Sequence, residues 1–193
     1  RSSASCEDSD CTSFAGHFTT KLGIHKEGLF SAIKECLASA FKENVILYAN
    51  KAKVDLQNFY VGVVVQKFVP SEKAGVLFSK NPSDSLKEGI WIDANFGIGE
   101  SVVSGEVKPD SYFVHADGIE TNITDEKEVY SYVDGKLSIS HKTGRVLSEA
   151  EVMQLVELGN SLRNKYEKEI ECEWCFLDNK LHLLQVRPIT VKN

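Results

Sequence analysis

Four side chains near the carboxy terminus have the chemistry to manage a metal-bound phosphate: Glu171, Glu173, Gln185 and Arg187. Alternate residues of a strand share a face. Glu171, Glu173, Cys175 and Leu177 therefore fall on one face of a first strand, and Leu181, Leu183, Gln185 and Arg187 on one face of a second. A three-residue loop, Asp178-Asn179-Lys180, sets Leu177 opposite Leu181, Glu173 opposite Gln185 and Glu171 opposite Arg187. A two-residue loop mixes polar with apolar partners along the strands, so the three-residue register is the self-consistent expectation. Carboxylate and amide oxygens are hard ligands suited to Mg²⁺, which keeps waters and shares phosphate oxygens. A guanidinium suits bidentate phosphate contact. The plain alternative is a solvated sheet face with an Arg–Glu pair of little energetic weight.

Other residues invite chemistry more weakly. Residues 1–24 are rich in Ser, Thr, Asp and Gly and read as a loop segment. Within it, Ser13-Phe14-Ala15-Gly16-His17-Phe18-Thr19-Thr20 could turn backbone N–H groups and hydroxyls onto phosphate. Loops of this composition more often merely connect elements. Cys172-x-x-Cys175 resembles a metal or redox pair, but no second such pair exists, and an odd offset in a strand sends the thiols to opposite faces. Asn122-Ile123-Thr124 is a formal glycosylation sequon with no secretory signal beside it.

The elements that must hold these residues are legible from periodicity. Leu29, Ile33, Leu37, Ala40 and Phe41 recur at helical spacing, with Phe30, Cys36 and Val45 widening the stripe, so 28–48 reads as one helix. The run 60–66 reads as a buried strand, followed by strands at 75–78 and 90–94. Asn81-Pro82 stops the first of these, and a turn at Gly97 and Gly99 follows the second. Short strands are expected at 112–114, 129–133 and 137–139, with turns at Asp117-Gly118 and Asp134-Gly135. Ser148 followed by Glu151 is a capping-box pattern opening a helix whose face is Val152, Leu155, Val156, Gly159, Leu162 and Tyr166. Strands at 171–177 and 181–186 close the chain. The expected architecture is one α/β (α+β) unit with several antiparallel pairs.

Composition bounds the rest. The chain has 193 residues, 42% hydrophobic and 26% charged, which disfavours disorder and suits one sizeable core. Its net charge of −6 argues against a diffuse basic surface for nucleic acid. No apolar run is long enough to span a membrane. Five cysteines, an odd number, fit reduced thiols and a cytoplasmic protein better than a disulfide framework. The only methionine is Met153 and the first residue is Arg1, so the chain is expected to be a piece of something longer.

The loop and the hairpin belong to a longer ordered pattern. Arg1-Ser2-Ser3-Ala4 precedes Glu7-Asp8, then come Ser13-Phe14-Ala15-Gly16 and Gly75 to Pro82. Gly97-Ile98-Gly99-Glu100-Ser101-Val102-Val103-Ser104-Gly105, Pro109-Asp110, Glu173-Trp174 and Gln185-Val186-Arg187-Pro188-Ile189-Thr190 follow. With Val102 where a third glycine would stand, the glycine stretch is no dinucleotide fingerprint. Over the whole chain this pattern resembles the nucleotide-binding domain of phosphoenolpyruvate synthase, pyruvate phosphate dikinase and rifampin phosphotransferase. The resemblance implies a single ATP-grasp-like domain over 1–193, with mostly antiparallel sheets and packed helices. It implies that Arg1 and Arg187 clamp ATP phosphates and act in catalysis, and that Gly16 and Thr20 lie in a loop closing over them. It further implies that Gln66 to Val69 forms the connector against which adenine docks, that Glu173 and Gln185 hold Mg²⁺, and that Glu171 lies close by.

Two departures accompany the resemblance. His17 stands where the family usually has glutamine, and the family's segment bearing an ATP-contacting lysine would precede Arg1. The implied activity is an ATP-dependent phosphotransferase reaction that phosphorylates a histidine on a swivelling domain, which then passes phosphate to an acceptor such as pyruvate or a drug. Ser140-His141 lacks the glycines of that phosphohistidine domain, so this chain is expected to carry only the ATP half-reaction and to form no AMP alone. Uncovered apolar surface would favour a homodimer. The competing expectation is a non-catalytic module that binds nucleotide weakly, or an inert folded fragment.

Overall fold

The computed structural model describes residues 1–4, 8, 9, 12, 13, 18–51, 59–82, 84 and 86–189. The chain divides into two compact units, Arg1–Phe68 with Asp134–Lys136, and Val69–Val133 with Leu137–Asn193.

In the first unit, β1 (Ser2–Ala4) precedes a short antiparallel pair of β2 (Asp8–Ser9) with β3 (Thr12–Ser13). The helices α1 (Leu29–Ala38) and α2 (Glu43–Lys51) follow, then β4 (Val61–Val63). β4 pairs antiparallel with β1, Ser2 opposite Val63 and Ala4 opposite Val61. The opening segment is thus not all loop. Its strand is held by backbone hydrogen bonds, which a serine-rich composition neither advertises nor prevents. The expected buried strand at 60–66 shrinks to β4, and Tyr60, Val64 and Val65 are exposed.

The single helix expected at 28–48 is broken. A 3₁₀ turn, Ser39–Phe41, ends α1, and Lys42 is extended at φ −64°, ψ 144°. The Ser39 hydroxyl donates to the Cys36 carbonyl at 2.6 Å, a local bond that competes with continued helix. The Lys42 carbonyl then accepts from Val45 and Ile46, starting α2. Ala32, Cys36 and Ala40 are buried rather than Leu37 and Phe41, which the uninterrupted stripe placed inward.

The second unit is built on one six-stranded antiparallel sheet. In chain order its elements are β5 (Lys73–Phe78), β6 (Ile90–Phe96), α3 (Glu100–Val103), β7 (Asp110–His115) and β8 (Gly118–Asn122). Then come β9 (Glu126–Val133), β10 (Lys136–Thr143), α4 (Glu149–Tyr166), β11 (Ile170–Leu177) and β12 (Lys180–Pro188). The sheet order is β12-β11-β5-β6-β7-β8, and β9 and β10 form a separate hairpin.

One face of the sheet carries Leu77, Ile92, Tyr112, Cys172, Trp174 and Phe176, and packs against Val152, Leu155 and Leu162 of α4. Each such side chain contributes roughly 1.5–3 kcal/mol by leaving water. Gly159 lets α4 approach closely, since a Cβ there would stand 3.1 Å from Leu77. The capping box forms as the sequence indicates, Glu151 N–H donating to Ser148 Oγ and Ser148 N–H to Glu151 Oε2. Of the expected α4 face, Tyr166 alone is markedly exposed. The result is a mixed α/β fold of mostly antiparallel sheet with a few helices, consistent with an ATP-grasp-like fold.

Candidate functional site

The β11–β12 hairpin sets Glu171 opposite Arg187 and Glu173 opposite Gln185. The register near these residues is the one expected, but it arises differently. Leu177 pairs with Lys180, so the loop is the two residues Asp178-Asn179, with φ of 51° and 59°. Two successive left-handed residues match the twist of a two-residue hairpin. The missing residue of offset comes from a bulge: Trp174 pairs with Leu183 and Glu173 with Gln185, leaving Leu184 extra on β12.

The bulge also inverts the face assignment. Leu181, opposite Phe176, packs against the core, whereas Gln185 and Arg187 fall on the face opposite α4. The expectation that Leu181 and Leu183 share a face with Gln185 and Arg187 is therefore corrected, as is the Leu177–Leu181 pair. Arg187 Nη2 donates to Glu171 Oε1 at 2.7 Å, and both side chains are largely sheltered. This fixes one edge of the guanidinium beside the Glu173–Gln185 pair. A carboxylate and an amide oxygen brought together on one face are a donor set Mg²⁺ accepts alongside water and phosphate.

The other residues singled out from the sequence lie elsewhere along the chain. Arg1 belongs to the first unit, where its carbonyl accepts from the Val64 N–H at 2.8 Å and its amino group donates to the Val64 carbonyl at 2.9 Å. Thr20 is exposed. Its neighbour Thr19 is tied at N–H to Ser39 Oγ at 3.2 Å and at Oγ1 to Lys42 Nζ at 2.9 Å. Gln66 is exposed in an irregular stretch, and the segment 66–69 crosses the chain boundary between the two units. Gly16 and His17 lie outside the described residues.

The Cys172–Cys175 pair is held as neutral thiols. Both thiols are buried; burial pushes Cys172 up to about 12, with Glu171 and Glu173 adding to it, and Cys175 up to about 11. Cys172 joins the core under α4, while Cys175 has the other parity, as the odd offset requires.

Sequence reasoning missed Asp93. It lies inside the expected strand 90–94, where the reading gave it no role. Its alternation with Ile92 and Ala94 was the available signal, because those two are core residues and Asp93 must then face the other way. Through Val76 it continues the row of Glu173 and Gln185.

The mostly antiparallel α/β fold, consistent with an ATP-grasp-like fold, makes nucleotide-binding domains the class to compare. The family model described as the pyruvate phosphate dikinase AMP/ATP-binding domain matches residues 1–193. The chain is 35% identical over 199 residues to a probable phosphoenolpyruvate synthase of Methanothermobacter thermautotrophicus, covering 98% of this chain and 29% of that protein. It is 34% identical over 198 residues to a rifampicin phosphotransferase of Bacillus cereus, covering 98% and 23%. A probable phosphoenolpyruvate synthase of Archaeoglobus fulgidus is 37% identical over 199 residues, with 98% and 26% covered. This chain spans less than a third of the length of these relatives. It belongs to the pyruvate phosphate dikinase AMP/ATP-binding domain family, whose members here are phosphotransferases.

Proposed function

We propose that residues 1–193 act as one ATP-grasp-like domain that binds Mg²⁺-ATP and carries the ATP half-reaction of a longer phosphotransferase. In this reading Glu173 and Gln185 hold the metal, Arg187 and Arg1 contact the phosphates, Gly16 and Thr20 belong to the loop over them, and Gln66 lies where adenine docks. The phosphoryl acceptor is a histidine on a swivelling domain of the longer protein. The final acceptor is a small molecule such as pyruvate or a drug, since the relatives carry both kinds of name.

The observation that carries this reading is the bulged hairpin register, which sets Glu173 beside Gln185 and next to the Glu171–Arg187 pair. Bound Mg²⁺ supplies neutralisation of the charge on the phosphate oxygens. The chain's own part is positional. Glu171 holds one edge of the Arg187 guanidinium, so the side chain meets phosphate from a fixed position.

Calorimetric titration of the chain with ATP tests this, in Mg²⁺ and in EDTA. Binding is expected to strengthen with Mg²⁺, and Glu173→Ala is expected to weaken it in Mg²⁺ while leaving EDTA binding little changed. Equal losses in both conditions would show that Glu173 acts structurally and would remove the metal from the reading.

A further inference from the structure

On the sheet face opposite α4, the row Gln185, Glu173, Val76, Asp93, Ser111 crosses five strands. At 4.7–4.9 Å per strand, Asp93 stands roughly 10 Å from Glu173. Its Oδ1 accepts two hydrogen bonds, from Ser111 Oγ at 2.6 Å and from Trp91 Nε1 at 2.9 Å. Its Oδ2 meets no donor among the described residues, and the side chain is half-buried. The carboxylate is thus held by one oxygen and presents the other. Burial raises its pKa above the ordinary aspartate value even though both donors oppose this, so the anion is short of partners. In the adjacent row, Trp91 packs tilted against Phe113, ring centroids 6.0 Å apart, and places apolar surface beside the carboxylate.

A free carboxylate oxygen is purely an acceptor, so whatever it receives must donate. The phosphates of a nucleotide offer only acceptors and negative charge, and Asp93 repels them. The donors a nucleotide offers are its ribose hydroxyls and, on adenine, the amino group at the far edge of the base. The two-strand separation from Glu173 matches the reach from ribose hydroxyls to the terminal phosphates better than the longer reach to the amino group.

We propose that Asp93 is a ribose-recognition residue: its free oxygen accepts a hydroxyl of the nucleotide whose phosphates lie at Glu173, Gln185 and Arg187. Ser111 and Trp91 are positioning residues that act through it. This inference rests on the reading that this face binds ATP.

The test compares ATP with 2′,3′-dideoxy-ATP by calorimetry in Mg²⁺, using the intact chain. A hydrogen bond to a charged group sets the scale, so ATP is expected to bind about tenfold to a hundredfold more tightly than the dideoxy nucleotide. Asp93→Asn, close in shape, is expected to bring ATP and dideoxy-ATP to about the same affinity, because the acceptor for the hydroxyl is gone. Ser111→Ala is expected to reduce the ratio without abolishing binding. Glu173→Ala should weaken both nucleotides alike and keep their ratio. Equal wild-type affinity for the two nucleotides, or a ratio that survives Asp93→Asn, overturns the ribose assignment and leaves ATP binding standing. Failure of the folded wild-type chain to bind ATP at all overturns both.

Discussion

Glu151 shows how one side chain can serve several parts of the fold. It closes the capping box with Ser148 and takes Lys73 Nζ on both oxygens, at 2.7 and 2.9 Å. Lys73 lies on β5 and Glu151 at the start of α4, so the pair ties helix to sheet. Burial pushes the Glu151 carboxyl up, but Lys73 and Ser148 outweigh it and hold it below the ordinary glutamate value. A lowered folded pKa means stability that is present above the unfolded value and lost as pH falls through the folded one. Wild type is therefore expected to exceed Glu151→Gln in urea midpoint by a constant margin above about pH 5, with the margin shrinking as the solution is acidified. A margin independent of pH down to pH 3 would assign the effect to packing instead of charge.

The element that matters most is the β11–β12 hairpin. Its turn needs left-handed backbone at Asp178 and Asn179, a conformation Asn and Gly accept more readily than residues with an ordinary Cβ. Asn179→Ala is expected to cost about 1 kcal/mol in urea unfolding. Asn179→Gly should be neutral or stabilising. An alanine variant as stable as wild type would show that the turn does not set the register and that the bulge at Leu184 does so alone. The bulge has the larger functional consequence. Without it, Gln185 would share parity with Leu181 and point into the core side, and no amide would stand beside Glu173.

At the scale of the whole second unit, a buried ion pair binds distant segments. Lys127 and Asp110 are both fully buried, with Nζ 2.8 Å from Oδ1. Lys127 Nζ also donates to the carbonyls of Thr124 and of Gly144, the latter at 2.8 Å. Asp110 accepts from the N–H groups of Thr124 at 2.9 Å and Val146 at 2.8 Å. Tyr112 Oη accepts from Leu147 N–H at 3.0 Å. These contacts join β7, β9 and the approach to α4. Removing one partner strands a charge, so Lys127→Met is expected to destabilise by about 3–5 kcal/mol. The double variant with Asp110→Asn should recover part of the loss, because the amide no longer carries an unpaired charge. No recovery in the double variant would mean that the lysine acts through its two carbonyl contacts alone. Among the described residues no helix is long and apolar enough to cross a membrane.

The sequence by itself determined what depends on local rules. The capping box at Ser148, five of the six strands of the sheet (all but β8) and the glycine turn at Asp134-Gly135 follow from periodicity and backbone preference over a few neighbouring residues. Glu171 with Glu173, and Gln185 with Arg187, were each legible as a pair from a strand's period of two, but the bulge at Leu184 rather than the expected three-residue loop brings the two pairs opposite each other. The tertiary structure decided what depends on partners far along the chain. Leu184 bulges in an edge strand that also packs Leu181 and Val186 on the core, and loop length alone did not reveal this. α1 and α2 separate because Lys42 turns extended, although the apolar stripe runs on unbroken. Asp93 joins the row of Glu173 only through Val76 on the strand between them, a neighbour about a hundred residues from Glu173. Spacing along a chain reports which residues share a face, whereas which faces meet is set by side chains competing for the same core.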